Sequence, residues 1–181
     1  MTKVNPHDIL SQSVQLYSRT EIIEAINKIA ADLNRDLSQT TPILLTVLQG
    51  AAMFSAHLAA ELNFPLQMDS IDVSRYQDKI YGGELNWRVF PKLSLSERVV
   101  ILVDDILDEG ITLSVLKQYC LDQGASKVII VVLANKSLER PKPIIADYVG
   151  LTVPNCYVFG FGMDVHGWWR NLPAINCLKK T

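Results

Sequence analysis

One segment in the second half of this 181-residue chain constrains its fold more than any other. The apolar residues 99–103 run directly into the acidic pair Asp104-Asp105, and a third acid, Asp108, comes two residues before Gly110. An apolar run of this length predicts a strand that is buried on both faces, as in a parallel sheet. Because helical spacing resumes after the glycine, the segment predicts a strand–loop–helix unit.

Strands and helices alternate along most of the chain. Ser18 and Glu21 have the spacing of a capping box, which predicts that a helix begins there. Further helices are predicted at about residues 51–62 and 113–123. Further strands are predicted at residues 42–48, 66–73, 88–90, 128–133, 148–151 and 157–159. This order predicts an α/β fold with a mainly parallel, twisted sheet flanked by helices.

Composition is that of a single globular domain over residues 1–181. Hydrophobic residues make up 49% and charged residues 20%, which excludes a disordered chain. A net charge of −2 disfavours a nucleic-acid-binding face. Neither a membrane span nor the apolar stretch of a signal peptide is apparent. The widely spaced cysteines Cys120, Cys156 and Cys177 suggest neither a zinc site nor a disulfide framework, so a cytoplasmic protein is expected.

The loop that follows the acidic strand has the chemistry of a phosphate site. In an open parallel sheet, ligands bind beyond the carboxyl ends of the strands. The turn around Gly110 would open a helix, whose first backbone N–H groups favour an anion, and Thr112 adds a hydroxyl. The glycine and lysine spacings of nucleotide-binding P-loops and dinucleotide folds are missing.

The paired acids allow two interpretations. Asp104 and Asp105 could accept hydrogen bonds from sugar hydroxyls or hold Mg²⁺ through water. Alternatively, they only end the strand and cap the helix. The pattern by itself leaves both open.

Residues 100–112 resemble the phosphoribosyl pyrophosphate (PRPP) motif of type I phosphoribosyltransferases. That motif is an apolar strand, two acids, two apolar residues and then Asp-Thr/Ser-Gly-x-Thr. Further landmarks lie in the order of the hypoxanthine-guanine branch of this family: Leu48-Gln49-Gly50, Ser74-Arg75-Tyr76, Lys136, Tyr157-Val158, Asp164 and Trp169-Arg170. The resemblance covers about residues 14–178.

The resemblance implies a purine salvage enzyme with a characteristic layout. The sheet core would span about residues 36–160, a small hood would come from the N- and C-terminal segments, and a mobile loop would span about residues 74–87. The enzyme would join hypoxanthine or guanine to the ribose of PRPP as pyrophosphate leaves, with Mg²⁺ as cofactor. It would bind small molecules rather than nucleic acid or membrane, and it would form a homodimer or homotetramer in the cytoplasm.

The resemblance also implies a role for each site residue. Asp108 would be the catalytic base, and Asp104 and Asp105 would grip the ribose hydroxyls and share Mg²⁺ with Asp164. The 5′-phosphate would lie on the amides of Glu109, Gly110, Ile111 and Thr112. Pyrophosphate would be bound by Leu48, Gln49, Gly50 and Arg170. The purine would be bound by Lys136, Tyr157 and Val158. Ser74 and Tyr76 would contact substrate from the mobile loop.

Three positions depart from the family pattern. Gln49 replaces a usual Lys or Arg, Ala51 replaces a common glycine, and Glu109 replaces a common Thr or Ser. The Glu109 carboxylate places a negative charge beside the expected phosphate. The backbone amide of Glu109 can still bind that phosphate if the side chain points to solvent.

Two other functions remain open from the sequence. The first is a non-catalytic regulator on the same fold that senses PRPP. The second is a generic nucleotide-binding α/β domain, which would not require the later series of Lys136, Tyr157, Asp164 and Arg170. Within the enzyme class, a preference for xanthine is also open.

Overall fold

The structure is a computed structural model and describes residues 5–75 and 85–179. These residues form two β-sheets. In chain order the elements are α1 (Pro6–Ser11), β1 (Ser13–Tyr17), α2 (Arg19–Leu37), β2 (Ile43–Leu48), α3 (Ala52–Glu61), β3 (Gln67–Arg75), β4 (Leu85–Val89), β5 (Val99–Leu107), α4 (Ile111–Asp122), β6 (Lys127–Lys136), β7 (Tyr148–Val153), β8 (Val158–Phe159) and β9 (Ile175–Leu178).

The larger sheet has the strand order β4-β3-β2-β5-β6-β7. Strands β3, β2, β5, β6 and β7 pair in parallel, and β4 returns antiparallel along β3. The mainly parallel sheet predicted from the apolar runs is therefore confirmed. The predicted strand at 66–73 is longer in the structure, because Ser74 and Arg75 pair with Asn86 and Leu85 of β4. Tyr76 lies outside the described residues.

Both faces of the sheet are buried beneath helices. Leu44 of β2 belongs to the hydrophobic cluster that contains α2 and α3, whereas its neighbours Ile43 and Leu45 belong to the cluster that contains α4. Successive side chains of a strand point to opposite faces, so an uninterrupted apolar run fills both layers.

Helix α2 begins as the capping box predicts. The backbone N–H of Ser18 donates to the Glu21 carboxylate at 2.8 Å, and the N–H of Glu21 donates back to the Ser18 hydroxyl at 3.4 Å. One stripe of this helix is fully or nearly fully buried against the sheet, and it contains Ile22, Ile26, Ile29 and Leu33.

The smaller sheet joins the two ends of the chain. Its antiparallel order is β1-β9-β8, so a strand near the N-terminus pairs with one near the C-terminus. Neither β1 nor β9 nor the short helix α1 is predicted from the sequence. Each is a short segment whose hydrogen-bonding partner or packing surface is remote along the chain, and a local pattern carries no sign of it.

The same sheet corrects the expectation for the cysteines. Cys156 and Cys177 form a disulfide, with their Cα atoms 6.2 Å apart. The sequence spacing predicts no disulfide, because the two cysteines are 21 positions apart and only the antiparallel pairing of β8 with β9 brings them together.

No helix within residues 5–75 or 85–179 is both long enough and apolar enough to cross a membrane.

We predict that Cys120 is unreactive in the folded protein. Its side chain is fully buried between α4 and the sheet, and burial raises the pKa of its thiol to about 11, so reactive thiolate is scarce near neutral pH. Titration with a thiol reagent before and after unfolding should reveal this thiol only in denaturant, and a Cys120→Ala variant should lack that signal. Rapid labelling of Cys120 in native buffer would contradict the prediction.

Candidate active site

Two adjoining cavities lie at the edge of the large sheet where β2, β5 and β6 end. Their volumes are about 240 and 280 Å³. Both are lined by Asp105, Ile106 and Asp108 from the end of β5 and by Asp164 from the loop after β8. A ligand that fills both cavities would therefore pass across these shared acids.

The smaller cavity, called here the base cavity, is closed by Lys136, Tyr157, Val158 and Met163. Lys136 ends β6, and its ammonium donates to Asp108 Oδ2 at 2.6 Å. The Lys136 side chain is only 12% exposed, so this ion pair is shielded on the lysine side. The structure thus brings together a cation and a carboxylate that are 28 positions apart in the sequence.

Tyr157 offers a flat face to the base cavity. Its ring is about half exposed and lies near the His166 ring, with the centroids 6.1 Å apart and the planes at 25°. Such an exposed aromatic face can stack on a planar heterocycle.

The larger cavity, called here the phosphate cavity, is built on the N-terminus of α4. Gly110 is the N-cap residue and has a left-handed φ of 82°, which favours glycine. It has no side chain to accept hydrogen bonds from the first helical turn, so that turn can bind an external anion. The other predicted residues that line this cavity are Leu48, Gln49, Gly50, Asp104, Thr112 and Arg170.

Glu109, the departure in the phosphate loop, forms an ion pair with Arg140. Arg140 comes four residues after the end of β6, in a segment without a motif that would single it out. The pair neutralises the charge that Glu109 adds beside the helix N-terminus.

Asp104 and Asp105 form a crowded acidic pair. The backbone N–H of Asp105 donates to Asp104 Oδ1 at 2.9 Å. Burial raises the pKa of Asp104 well above its ordinary value, and the adjacent Asp105 carboxylate raises it further. Burial also raises the pKa of Asp105. Ligand hydroxyls or a cation at these oxygens would relieve that cost.

Asp164 and Arg170 face the same acids from the C-terminal loop. The Arg170 guanidinium donates to Asp164 Oδ1 at 2.6 Å and to the carbonyl of Gly162 at 2.7 Å. The Asp164 carboxylate also accepts from the N–H of Gly167 at 2.7 Å. This loop therefore carries one anion and one cation, each in a defined orientation.

The loops that follow β2, β5 and β8 pack closely against each other at the phosphate cavity. A Cβ built on Gly50 would overlap the Asp105 carboxylate, and one built on Gly162 would overlap the carbonyl oxygen of Gly50. Glycine at position 50 is thus a condition for the present position of Asp105.

The structure separates the remaining sequence candidates from this core. Glu109 lines a neighbouring cavity with Arg140, and Ile111 opens α4 with a partly exposed side chain. Val73 lines the phosphate cavity, whereas Ser74, the next residue on β3, does not. Ile106 and Met163 also line the base cavity, although the sequence analysis assigns them no role. Their positions next to Asp105 and Asp164 are the one signal in the sequence that could identify them.

Comparison with known proteins assigns the family. A model of the phosphoribosyl transferase domain matches residues 12–166. Over about 165 residues the chain is 35% identical to a hypoxanthine-guanine phosphoribosyltransferase of Bacillus subtilis and 36% identical to one of Streptococcus pneumoniae, with 91% of this chain and 92% of each relative covered. The chain belongs to the phosphoribosyltransferase family.

Solved structures agree on the fold. A hypoxanthine phosphoribosyltransferase of Staphylococcus aureus superposes with a TM-score of 0.89 at 28% identity, covering 98% of this chain and 97% of that one. The type I phosphoribosyltransferase fold expected from the sequence motif is therefore confirmed.

We predict that Gly50→Ala weakens PRPP binding by roughly tenfold or more, because it displaces the Asp105 carboxylate, which the sequence motif predicts to bind the ribose hydroxyls. Isothermal titration calorimetry with PRPP measures this. Gly124→Ala is the control: it strains a left-handed glycine at the far end of α4, where φ is 85°, and should lower Tm but leave PRPP affinity unchanged. Equal PRPP affinities for Gly50→Ala and the unmodified protein would show that the close approach is unimportant.

Proposed function

We propose that this chain transfers the phosphoribosyl group of PRPP to hypoxanthine or guanine, giving IMP or GMP and pyrophosphate. The observation that carries the proposal is the Asp108–Lys136 pair in the base cavity, because its Asp108 also lines the phosphate cavity. The base cavity has an aromatic wall, and the phosphate cavity contains the N-terminus of α4.

The pair is complementary to one edge of a 6-oxopurine. Atoms N7 and O6 lie side by side on that edge. Lys136 would donate to O6, while Asp108 would accept the proton from N7. Adenine presents an amino donor instead of O6, and two donors cannot pair, so discrimination against adenine of about a hundredfold or more is expected.

The reaction would proceed where the two cavities meet. The bond between purine N9 and ribose C1′ forms as the bond between C1′ and the pyrophosphate oxygen breaks, and the N7 proton passes to Asp108. Positive charge that develops on the ribose would be stabilised by the carboxylates of Asp104 and Asp105. Arg170 and the loop Leu48-Gln49-Gly50 would receive the departing pyrophosphate, and the amides from Glu109 to Thr112 would hold the 5′-phosphate.

The donor set of the site fits Mg²⁺. Within the described residues, no three His, Cys, Asp or Glu side chains converge as a metal cage. Mg²⁺ usually takes one or two carboxylates together with substrate phosphates, and Asp104, Asp105 and Asp164 offer such carboxylates around the phosphate cavity. The cation would neutralise charge on the pyrophosphate leaving group.

We further propose that the chain is one domain of 1–181 with a core at about 36–160, that the N- and C-terminal segments form the hood, and that the protein works as a cytoplasmic homodimer or homotetramer. Phe90 and Ile145 are exposed apolar side chains of the kind that subunit contacts bury. Light scattering at micromolar concentration tests the oligomer. The regulator considered from the sequence finds no support, since the relatives named above are enzymes.

A spectrophotometric assay tests the proposed function. The purified protein is mixed with PRPP, Mg²⁺ and hypoxanthine, guanine, xanthine or adenine in separate reactions, and each is repeated in excess chelator. We expect turnover of hypoxanthine or guanine that stops with chelator. The absence of nucleotide from every 6-oxopurine would refute the proposal, and full turnover in chelator would refute the role of Mg²⁺.

We predict that Asp108→Asn lowers kcat by about 10²–10⁴-fold, because the variant keeps the size of the side chain but cannot take the purine proton. PRPP should still bind, since the phosphate site is mainly backbone amide. Steady-state kinetics and calorimetry separate the two effects. Unchanged turnover would reduce Asp108 to a structural element of the loop.

We predict that Arg140→Gln weakens PRPP binding modestly, by about 1.5- to 5-fold, because the exposed ion pair with Glu109 contributes about 0.2–1 kcal/mol. The loss should shrink at high salt. Arg35→Gln is a matched control: Arg35 is also 67% exposed and pairs with Asp32 on α2. The double variant Glu109→Gln/Arg140→Gln should recover affinity; no recovery would mean that the pair does not act through charge.

A further inference from the structure

Lys142 makes an unusual set of contacts just outside the base cavity. Its ammonium donates to the carbonyl of Leu107 at 2.7 Å, to the side-chain oxygen of Asn135 at 2.6 Å and to the carbonyl of Lys136 at 2.6 Å. An ammonium has three N–H donors, so these three oxygens use all of them. Neither the sequence motif nor the proposed chemistry includes this lysine.

The three oxygens belong to the ends of two neighbouring strands. The parallel register of β5 with β6 ends at the pair Leu107–Asn135. The next residues along the two strands are Asp108 and Lys136, whose side chains form the ion pair in the base cavity. Beyond the last register pair, the Lys142 ammonium bridges the ends of β5 and β6 by donating to the carbonyls of Leu107 and Lys136.

We propose that Lys142 is a positioning residue that ties the ends of β5 and β6 together and so holds Asp108 and Lys136 at the spacing that the purine edge requires. This inference rests on the proposed function, because that function gives the spacing its purpose. Lys142 itself does not line the base cavity; it acts through the two residues that do.

The chemistry of the contacts suits a rigid connection. Hydrogen bonds from a charged donor are shorter and stronger than those between neutral groups. A partly buried ammonium is costly unless oxygens replace its water, so the lysine and the strand ends depend on each other. Burial lowers the pKa of Lys142, and the nearby Asp108 carboxylate opposes that shift.

The test compares Lys142→Met with Lys142→Arg. Methionine keeps an unbranched apolar chain but removes the donors, whereas arginine keeps the charge and the N–H groups. We expect Lys142→Met to lower kcat/KM for hypoxanthine by about ten- to a hundredfold, as small misplacements of reacting groups do. The Kd of PRPP should change less than twofold, and Lys142→Arg should recover part of the loss. Lys127→Met is the control, because Lys127 is exposed at the opposite end of β6.

A loss of kcat/KM for hypoxanthine without a loss of PRPP affinity distinguishes a positioning role from a general loss of stability. Equal losses toward both substrates, or unchanged kinetics in Lys142→Met, would overturn the proposal. If Lys142→Met does not fold, Asn135→Ala takes its place, since it removes one of the three oxygens and should show the same split to a smaller degree. An unaltered purine KM and kcat in Asn135→Ala would then overturn it.

A structural measurement distinguishes this inference from the proposed function. If the unmodified protein turns over no purine, the proposed function fails, and a crystal structure of Lys142→Met decides the positioning role. A separated Asp108–Lys136 pair would support that role, whereas the same 2.6 Å contact in the variant would contradict it.

Discussion

The parallel pairing of β5 with β2 on one side and β6 on the other is the constraint on which the site depends. Parallel strands end at the same edge, so the acids that follow the apolar part of β5 meet the loop after β2 and the end of β6. The pairing is held by apolar side chains that fill both faces of the sheet. Because this strand is buried on both faces, it carries Asp104 and Asp105 to a partly buried position at the edge of the sheet, where burial raises the pKa of both carboxyls.

Charge in the site is balanced locally rather than by the net charge of the chain. Asp164 is paired with Arg170, Asp108 with Lys136, and Glu109 with Arg140. Within residues 5–75 and 85–179, Asp104 and Asp105 form no such ion pair, and burial is the main cause that raises the pKa of each. An arrangement of this kind costs folding stability, and a ligand that supplies the missing partner would offset that cost. The region of least compensated charge therefore coincides with the proposed position of the ribose.

The sequence predicts the parts of the fold that have a strong local pattern, and it predicts little that depends on remote contacts. The apolar runs of β2, β5 and β6 and the capping box of α2 are readable because their signals lie within a few residues. Strands β1 and β9 are short and find each other across the whole chain, so their formation depends on tertiary pairing. The Cys156–Cys177 disulfide has no sign in the sequence for the same reason, since tertiary pairing brings its cysteines together. In the site, the motif predicts the acids and the loop that begins α4. Single cations such as Arg140 and Lys142 look like ordinary surface residues in the sequence, because only the structure shows their contacts.

Those two cations show how a departure within a motif can be matched by residues outside it. Glu109 by itself argues against a phosphate site, because a carboxylate repels the ligand that the helix N-terminus attracts. Arg140, 31 positions further along the chain, pairs with this carboxylate and so removes the objection. Lys142, two residues later, contacts the ends of the strands that carry Asp108 and Lys136, the pair proposed to bind the purine. The short segment after β6 thus supports both halves of the site, one through charge and the other through backbone geometry. A substitution in this segment would therefore affect substrate handling even though Arg140 and Lys142 line neither the base cavity nor the phosphate cavity.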